Sequence, residues 1–188
     1  IFRKLQPIRI LRGYLANADE VRVTGVELDA SWRVNEYFSF YGALAYTDGR
    51  YERFTDAPPP LEATGGPQVV DISGQRLPGI SEWAGSLGGE YQFLGREGAY
   101  FVALDASFRT DFSSSATPSR YLDVDGYSLL NGRIGFRAGD GWDVYLWGRN
   151  LTDEDYFEFL SAAPGGSGLF VGYVGDPRTW GITLRGSF

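Results

Sequence analysis

The sequence predicts an all-β protein, an antiparallel up-and-down meander whose strands cross a membrane as a segment of a transmembrane β-barrel. Three observations predict it. Apolar and polar residues alternate in stretch after stretch, at the two-residue period of a strand with two unlike faces. The connections between these stretches are short and long by turns, as in a meander with tight turns at one end and extended loops at the other. Aromatic residues gather near the ends of the stretches and leave aliphatic ones between, matching the preference of amphipathic rings for the headgroup zone.

The elements follow in order. A weak first strand falls within Ile1–Tyr14, where Arg9 and Arg12 interrupt the alternation. In "TGVELDASWR", Val26, Leu28, Ala30 and Trp32 alternate with Glu27, Asp29, Ser31 and Arg33. "YFSFYGALAYT" sets Phe38, Phe40, Gly42, Leu44 and Tyr46 against Ser39, Tyr41, Ala43, Ala45 and Thr47. "EWAGSLGGEYQF" and "YFVALDASFRTD" repeat the pattern, the second with Tyr100, Val102, Leu104, Ala106 and Phe108 opposite Asp105, Ser107, Arg109 and Asp111. "SLLNGRIGFR" opposes Leu130, Ile134 and Phe136 to Asn131, Arg133 and Arg137. "WDVYLWGRN" is less clean, because Tyr145 and Trp147 share the polar row with Asp143 and Arg149. The last strand alternates Trp180, Ile182, Leu184, Gly186 and Phe188 with Gly181, Thr183, Arg185 and Ser187. This makes about eight strands of roughly 9–14 residues, long enough to cross a bilayer when tilted.

Arg33–Tyr37, Leu94–Ala99 and Ala138–Gly141 are the short connections; Thr55–Ile80, Ser113–Val124 and Asp153–Gly175 are the long ones. Short-turn ends carry Trp32, Tyr37, Phe93, Tyr100, Phe136, Trp142 and Phe188, and long-loop ends carry Trp83, Phe108, Tyr127 and Trp180. The charged rows, with Glu27, Asp29, Asp105 and Arg133, must face a wet or protein-filled lumen, because hydrocarbon cannot solvate them. Trp32, Leu87, Leu104, Ile134 and Leu184 are expected on the lipid face. A soluble β-sandwich or lipocalin-like barrel is the competing architecture; it shows no strict rhythm of connection lengths.

Composition narrows the chemistry. The chain has 188 residues, which suits one domain, with 26 glycines and 16% aromatics. Seventeen basic against 24 acidic residues give a net charge of −7, which argues against binding nucleic acid. Histidine and cysteine are both absent, so no imidazole or thiolate metal site, histidine-based triad or disulfide can form. No metal, cofactor or catalytic arrangement is expected, and the chain reads as a non-enzyme. Asp153–Glu154–Asp155 reads as a solvated exit from a strand, Asp123 and Asp125 as a strand entrance, and Arg178 as a carboxylate partner that anchors the last strand. Tyr156, Phe157, Phe159, Phe170 and Tyr173 crowd the last long loop, whose length is usual for a functional or a disordered segment. Of these, Tyr156, Phe157, Phe170 and Tyr173 are the candidate ligand-binding residues, with "APGGSG" as a hinge. Packing of the loop on itself is the competing reading.

"VRVTGVELDASWRVN", "SGQRLPGISEWAGSLGGEYQF", "GYSLLNGRIGF", "WGRNLTDEDY" and "GYVGDPRTWGITLRGSF" together resemble, in that order, the C-terminal barrel segments of TonB-dependent outer-membrane receptors. The resemblance runs from Val21 to Phe188. It implies a parent with an N-terminal plug and a barrel of about 22 strands, of which residues 1–188 supply the C-terminal portion, without the plug or the earlier strands. It also implies a bacterial outer-membrane location and active transport of a scarce nutrient, a siderophore–iron complex or similar bulky solute. The implied partners are outer-membrane lipids, a small-molecule ligand, TonB through the absent N-terminal region, and the barrel-assembly machinery, which would read Trp180, Leu184 and Phe188. The alternative is a self-contained eight-stranded outer-membrane barrel with a structural or adhesion role. A barrel lipase or protease is disfavoured by the lack of histidine.

Overall fold

The computed structural model describes residues 18–60, 62–63, 66–116, 119–139, 141–163 and 168–186. These residues form β1 (Glu20–Arg33), β2 (Phe38–Arg53), β3 (Trp83–Leu94), β4 (Gly98–Arg109), β5 (Phe112–Ser113), β6 (Asp123–Val124), β7 (Tyr127–Ala138), β8 (Trp142–Arg149), β9 (Phe157–Ala162), β10 (Phe170–Val174) and β11 (Thr179–Gly186). Seven of them make one antiparallel sheet in the order β1-β2-β3-β4-β7-β8-β11. The remaining four pair as β5 with β6 and β9 with β10. Every alternating stretch from Thr24 onward lies in a strand of the large sheet. The expected strand within Ile1–Tyr14 lies outside the described residues, as does Phe188.

The pairing register keeps the two faces apart. One row of directly opposed residues runs Trp32, Phe40, Gly89, Leu104, Gly132, Gly148, Trp180, and a second runs Phe38, Tyr91, Val102, Ile134, Leu146, Ile182. The intervening rows carry Ser31, Tyr41, Gly88, Asp105 and Asn131, then Ser39, Glu90, Ala103, Arg133, Trp147 and Gly181. Trp32, Leu87, Leu104, Ile134 and Leu184 therefore share one pleat face, and each is more than half exposed. The polar face is held by its own contacts. Arg137 donates twice to Glu90 (2.6 and 3.0 Å), Arg133 reaches the same carboxylate at 3.4 Å, and Tyr41 hydrogen-bonds Asp105. Trp147 belongs to this face because its indole N–H has a partner there, the Thr183 hydroxyl at 3.1 Å, and Gly181 leaves room for the ring.

The register also measures the tilt. The row through Leu104 starts at Trp32, near the short-turn end of β1, and finishes at Trp180, near the long-loop end of β11. On β11 the short-turn end is reached only at Gly186, opposite Trp142. A stagger of about six residues (~20 Å) over six strand spacings (~29 Å) corresponds to a tilt of roughly 35°, within the usual range of barrel strands. On β4, Tyr100 and Phe108 bracket Val102, Leu104 and Ala106; about 27 Å of strand at that tilt gives an aliphatic band about 22 Å tall, close to the ~25 Å apolar band of membrane barrels.

Rings border the band on the apolar face. Trp32 meets Phe40 (5.8 Å between centroids), Tyr91 meets Phe93 (4.7 Å) and Tyr100 meets Phe136 (4.7 Å) toward the short turns, while Tyr46 meets Trp83 (4.9 Å) toward the long loops. Tyr127 is not part of this border. Its register with Arg109 places it on the polar face, where it packs on Tyr156.

Above the Val26–Tyr46–Trp83 row the polarity of the β1–β2 pair inverts. On the side that was apolar stand Thr24, Asp48, the Arg22–Glu52 pair (2.5 Å) and the Asp48–Arg50 pair (2.7 Å). Tyr51, on the opposite side, joins Phe54, Ala57 and Ile72 in a small core. An exposed apolar face that gives way to ion pairs at an aromatic border is a strand leaving hydrocarbon for water. The bulge between Glu20 and Val21 lies in this projecting part.

Candidate functional site

All three long connections emerge at the same end of the sheet and fasten onto one another. The first runs from Phe54 to Glu82. Ala57 and Val70 exchange backbone hydrogen bonds (3.0 and 2.8 Å) over the core, and the return arm is tied to the second connection by Gly79 N–H to Ser113 C=O (2.8 Å) and Ser81 Oγ to Thr110 C=O (2.8 Å). The second connection contains the short β5–β6 ladder and buries Phe112, Leu122 and Val124.

The third connection is not the plain loop that its sequence suggests. Phe157–Ala162 and Phe170–Val174 pair as a hairpin, with Tyr173 opposite Phe159 and Val171 opposite Ser161. Aromatic residues on both arms, with Val171 and Val174 on the second, favour this pairing over an irregular course. Its stem is clasped by "NLTDEDY". Asn150 is only 3% exposed and sits at φ +49°, a left-handed conformation that asparagine tolerates better than most residues. Its side-chain amide donates to Glu154 C=O (2.8 Å) and Asp176 C=O (3.2 Å), and its carbonyl accepts from Glu154 N–H (2.8 Å), so one side chain joins both arms. Arg178 pairs with Asp153 (2.9 Å) beside it, the carboxylate partner expected for this arginine.

The four aromatic candidates separate into two sets. Tyr156 is half-buried, packed at a tilt on Tyr127 with 4.2 Å between ring centroids, and lies so close to Gly175 that a Cβ there would overlap its ring atoms. It packs the rim. Phe157, Phe170 and Tyr173 are exposed, Tyr173 by 67%, and Phe159 accompanies Tyr173 at 6.2 Å. Phe170 also stacks on Tyr121 of the second connection (5.2 Å, 30°), a partner the sequence did not single out. A further link joins these connections, Leu160 N–H to Ser114 Oγ (3.1 Å). Trp180 and Leu184 lie on the apolar face of β11, both exposed.

Between the first and second connections lies a cleft of about 440 Å³, bordered by Arg50, Gln75, Arg76, Ser115, Arg120 and Asp123. Its arginines are largely neutralised: Arg50 by Asp48, and Arg76 by Glu82 (3.0 Å) and Asp111 (3.4 Å). Arg120 donates to the Tyr121 hydroxyl (2.6 Å) and lies over its ring. Glu62, from the first connection, accepts from Ser119 Oγ (2.9 Å) and Arg120 N–H (3.2 Å). Burial pushes the Glu62 carboxyl up, but hydrogen bonds from its own amide, Ser119 and Arg120, with the Arg120 charge, outweigh this and hold it below the usual carboxylate range. Among the described residues no group of acidic side chains is arranged to hold a metal ion.

An antiparallel sheet with one bare apolar face, one charged face, tight turns at one end and interlocked loops at the other defines the class, a wall segment of a membrane-spanning β-barrel. Residues 5–151 match the TonB dependent receptor-like β-barrel family, and the chain belongs to it. The ferric-pyoverdine M114 receptor PbuA of Pseudomonas sp. strain M114 is 25% identical over 175 residues, which is 92% of this chain and 19% of that protein. The ferric yersiniabactin uptake receptor FyuA of Yersinia pestis shares the fold with a TM-score of 0.71 at 19% identity, over 89% of this chain and 24% of that one. The siderophore receptor PiuA of Acinetobacter baumannii gives 0.64 at 16% identity, over 87% and 21%. The chain thus spans a quarter or less of the length of these relatives.

Proposed function

We propose that this chain is the C-terminal wall of a bacterial outer-membrane receptor that imports a siderophore–iron complex or similar bulky nutrient, energised by TonB through a region outside residues 1–188. The plug and the earlier barrel strands belong to the rest of that parent. In this reading the apolar face meets outer-membrane lipid, the charged face lines the lumen, and Trp180, Leu184 and Phe188 are read by the barrel-assembly machinery. The chain itself performs no bond chemistry.

The observation that carries the ligand part is the bare aromatic surface of the β9–β10 hairpin, where Phe157, Phe159 and Tyr173 stand exposed beside a neighbouring loop. Rings supply contact area at little conformational cost, which suits capture of a bulky solute. The packed Tyr156 supports the hairpin from below and leaves the list of contact residues. In the full-length receptor, Phe170→Ala with Tyr173→Ala is expected to weaken uptake at limiting ligand while leaving outer-membrane insertion intact. Normal uptake by the double variant at subsaturating ligand would show that these rings only pack.

A further inference from the structure

We infer that the open edge of β10 is an interaction surface inside the parent receptor: the strand that closes the barrel against β11 continues past the membrane and pairs with β10 at Phe170 and Gly172. This pairing rests on the receptor reading above, which supplies the closing strand from outside residues 1–188.

The hairpin continues the β8–β11 ladder upward. That ladder ends with Arg149 opposite Thr179, and the hairpin's own begins with Phe157 opposite Val174. The step between them is bridged. The Asn150 side-chain amide donates to Glu154 C=O on one arm and Asp176 C=O on the other, and Gly175 N–H bonds Tyr156 C=O (2.9 Å). β9 therefore stands on β8, and β10 on β11. The far edge of β9 is taken, since Leu160 N–H bonds Ser114 Oγ of the second connection. β10 is left on the same side as the open edge of β11, which ends the order of the large sheet. In hydrocarbon that edge of β11 has to be paired, because no water is there to bond its backbone groups. The strand that pairs it leaves the membrane beside β10.

The edge of β10 is suited to being covered. Ala163 N–H bonds Leu169 C=O (2.8 Å) in the same register, so Ser161–Val171 and Phe159–Tyr173 are the hydrogen-bonded pairs of the ribbon. Phe170 and Gly172 then turn N–H and C=O outward, and these groups have no hydrogen-bond partner among the described residues. Leu160, opposite Gly172, turns its N–H the other way, to Ser114. Every residue of β10 is exposed. Edges that face water are usually guarded by charge, proline or a bulge. Here the sequence has no charged residue from Phe159 to Gly175, β10 has no proline, and the one irregularity, between Tyr173 and Val174, lies at its foot. A two-stranded ribbon is marginal by itself; a third strand steadies it and fixes the exposed row of Val171 and Tyr173.

The test uses the full-length receptor in outer-membrane vesicles, without ligand. Hydrogen exchange resolved to single amides should find the Gly172 N–H at least about tenfold slower than an exposed, unbonded amide, the factor that one net hydrogen bond supports. This chain contributes no native cysteine. Val171→Cys should therefore form disulfides only with cysteines introduced into the closing strand, at alternate positions of its extracellular end, the period of a ladder. Fast exchange at Gly172 with protected edge amides on β11 overturns the pairing and leaves the barrel reading standing. Fast exchange on both edges overturns the two together. Disulfides between two receptor copies, or protection of Gly172 that appears only when ligand is added, also overturn the pairing and give the edge to a second copy or to the ligand.

Discussion

Replacing Leu104 by arginine sets a charge on the apolar face where the band is deepest. Leu104 is midway along β4 between Tyr100 and Phe108, four residues from each ring, and is 52% exposed. At a tilt of roughly 35°, either aromatic border is about 11 Å away along the membrane normal, so arginine can barely snorkel to the headgroups. The full midplane cost of about 2–4 kcal/mol therefore applies. Ser107→Arg is the control, three residues away on the charged face and also exposed. It should cost less than about 1 kcal/mol, because the lumen side accepts charge. Urea titration of the full-length receptor in lipid vesicles, followed by tryptophan fluorescence and the mobility of the folded barrel, compares the two. Equal costs, or a cost under about 0.5 kcal/mol for Leu104→Arg, would refute the assignment of faces.

Two further outcomes are expected. Asn150→Gly keeps the left-handed backbone but removes the side-chain clasp, and should destabilise the receptor by about 1–3 kcal/mol because three part-buried backbone groups lose a partner. Asn150→Ala should cost about 1 kcal/mol more for its backbone conformation. Limited proteolysis of the hairpin stem and denaturant midpoints would register both. On the charged face, a double-mutant cycle with Glu90→Gln and Arg137→Gln should show a coupling of about 1–2 kcal/mol, given two hydrogen bonds to a half-buried guanidinium. Additive effects would mean that water or another group satisfies Arg137 equally well.

Strand identity was legible because it rests on local chemistry. A period of two, turn residues such as "AGDG" and rings near strand ends are properties of a few consecutive residues, and every stretch read this way from Thr24 onward is a strand of the sheet. The candidate site was legible in part. The crowd of aromatics after Asp153 is visible in the sequence, but their packing partners are not: Tyr156 meets Tyr127 and Phe170 meets Tyr121, both distant in sequence. The sequence suggests a loop here because the apolar arms carry no clean alternation, and the ladder that makes them strands forms only when the arms meet.

By itself, then, the sequence determined which side of each strand faces hydrocarbon, since side-chain parity leaves no choice once a face is apolar. It also decided the alternation of loop lengths and the absence of thiol and imidazole chemistry. Only the tertiary structure decided the stagger that tilts the strands, because register is a relation between strands. Only it placed Tyr127 on the charged face rather than in the aromatic border, and inverted the polarity of β1–β2 above Tyr46 by packing Tyr51 onto Phe54, Ala57 and Ile72. Asn150 in "NLTDEDY" reads as an ordinary turn residue until Glu154 and Asp176 are brought around its amide. Glu62 reads as a lone charge in a proline-rich loop until folding sets Ser119 and Arg120 against it. A hydrogen-bonding side chain has many possible partners along a chain, and only the fold selects the pair that meets.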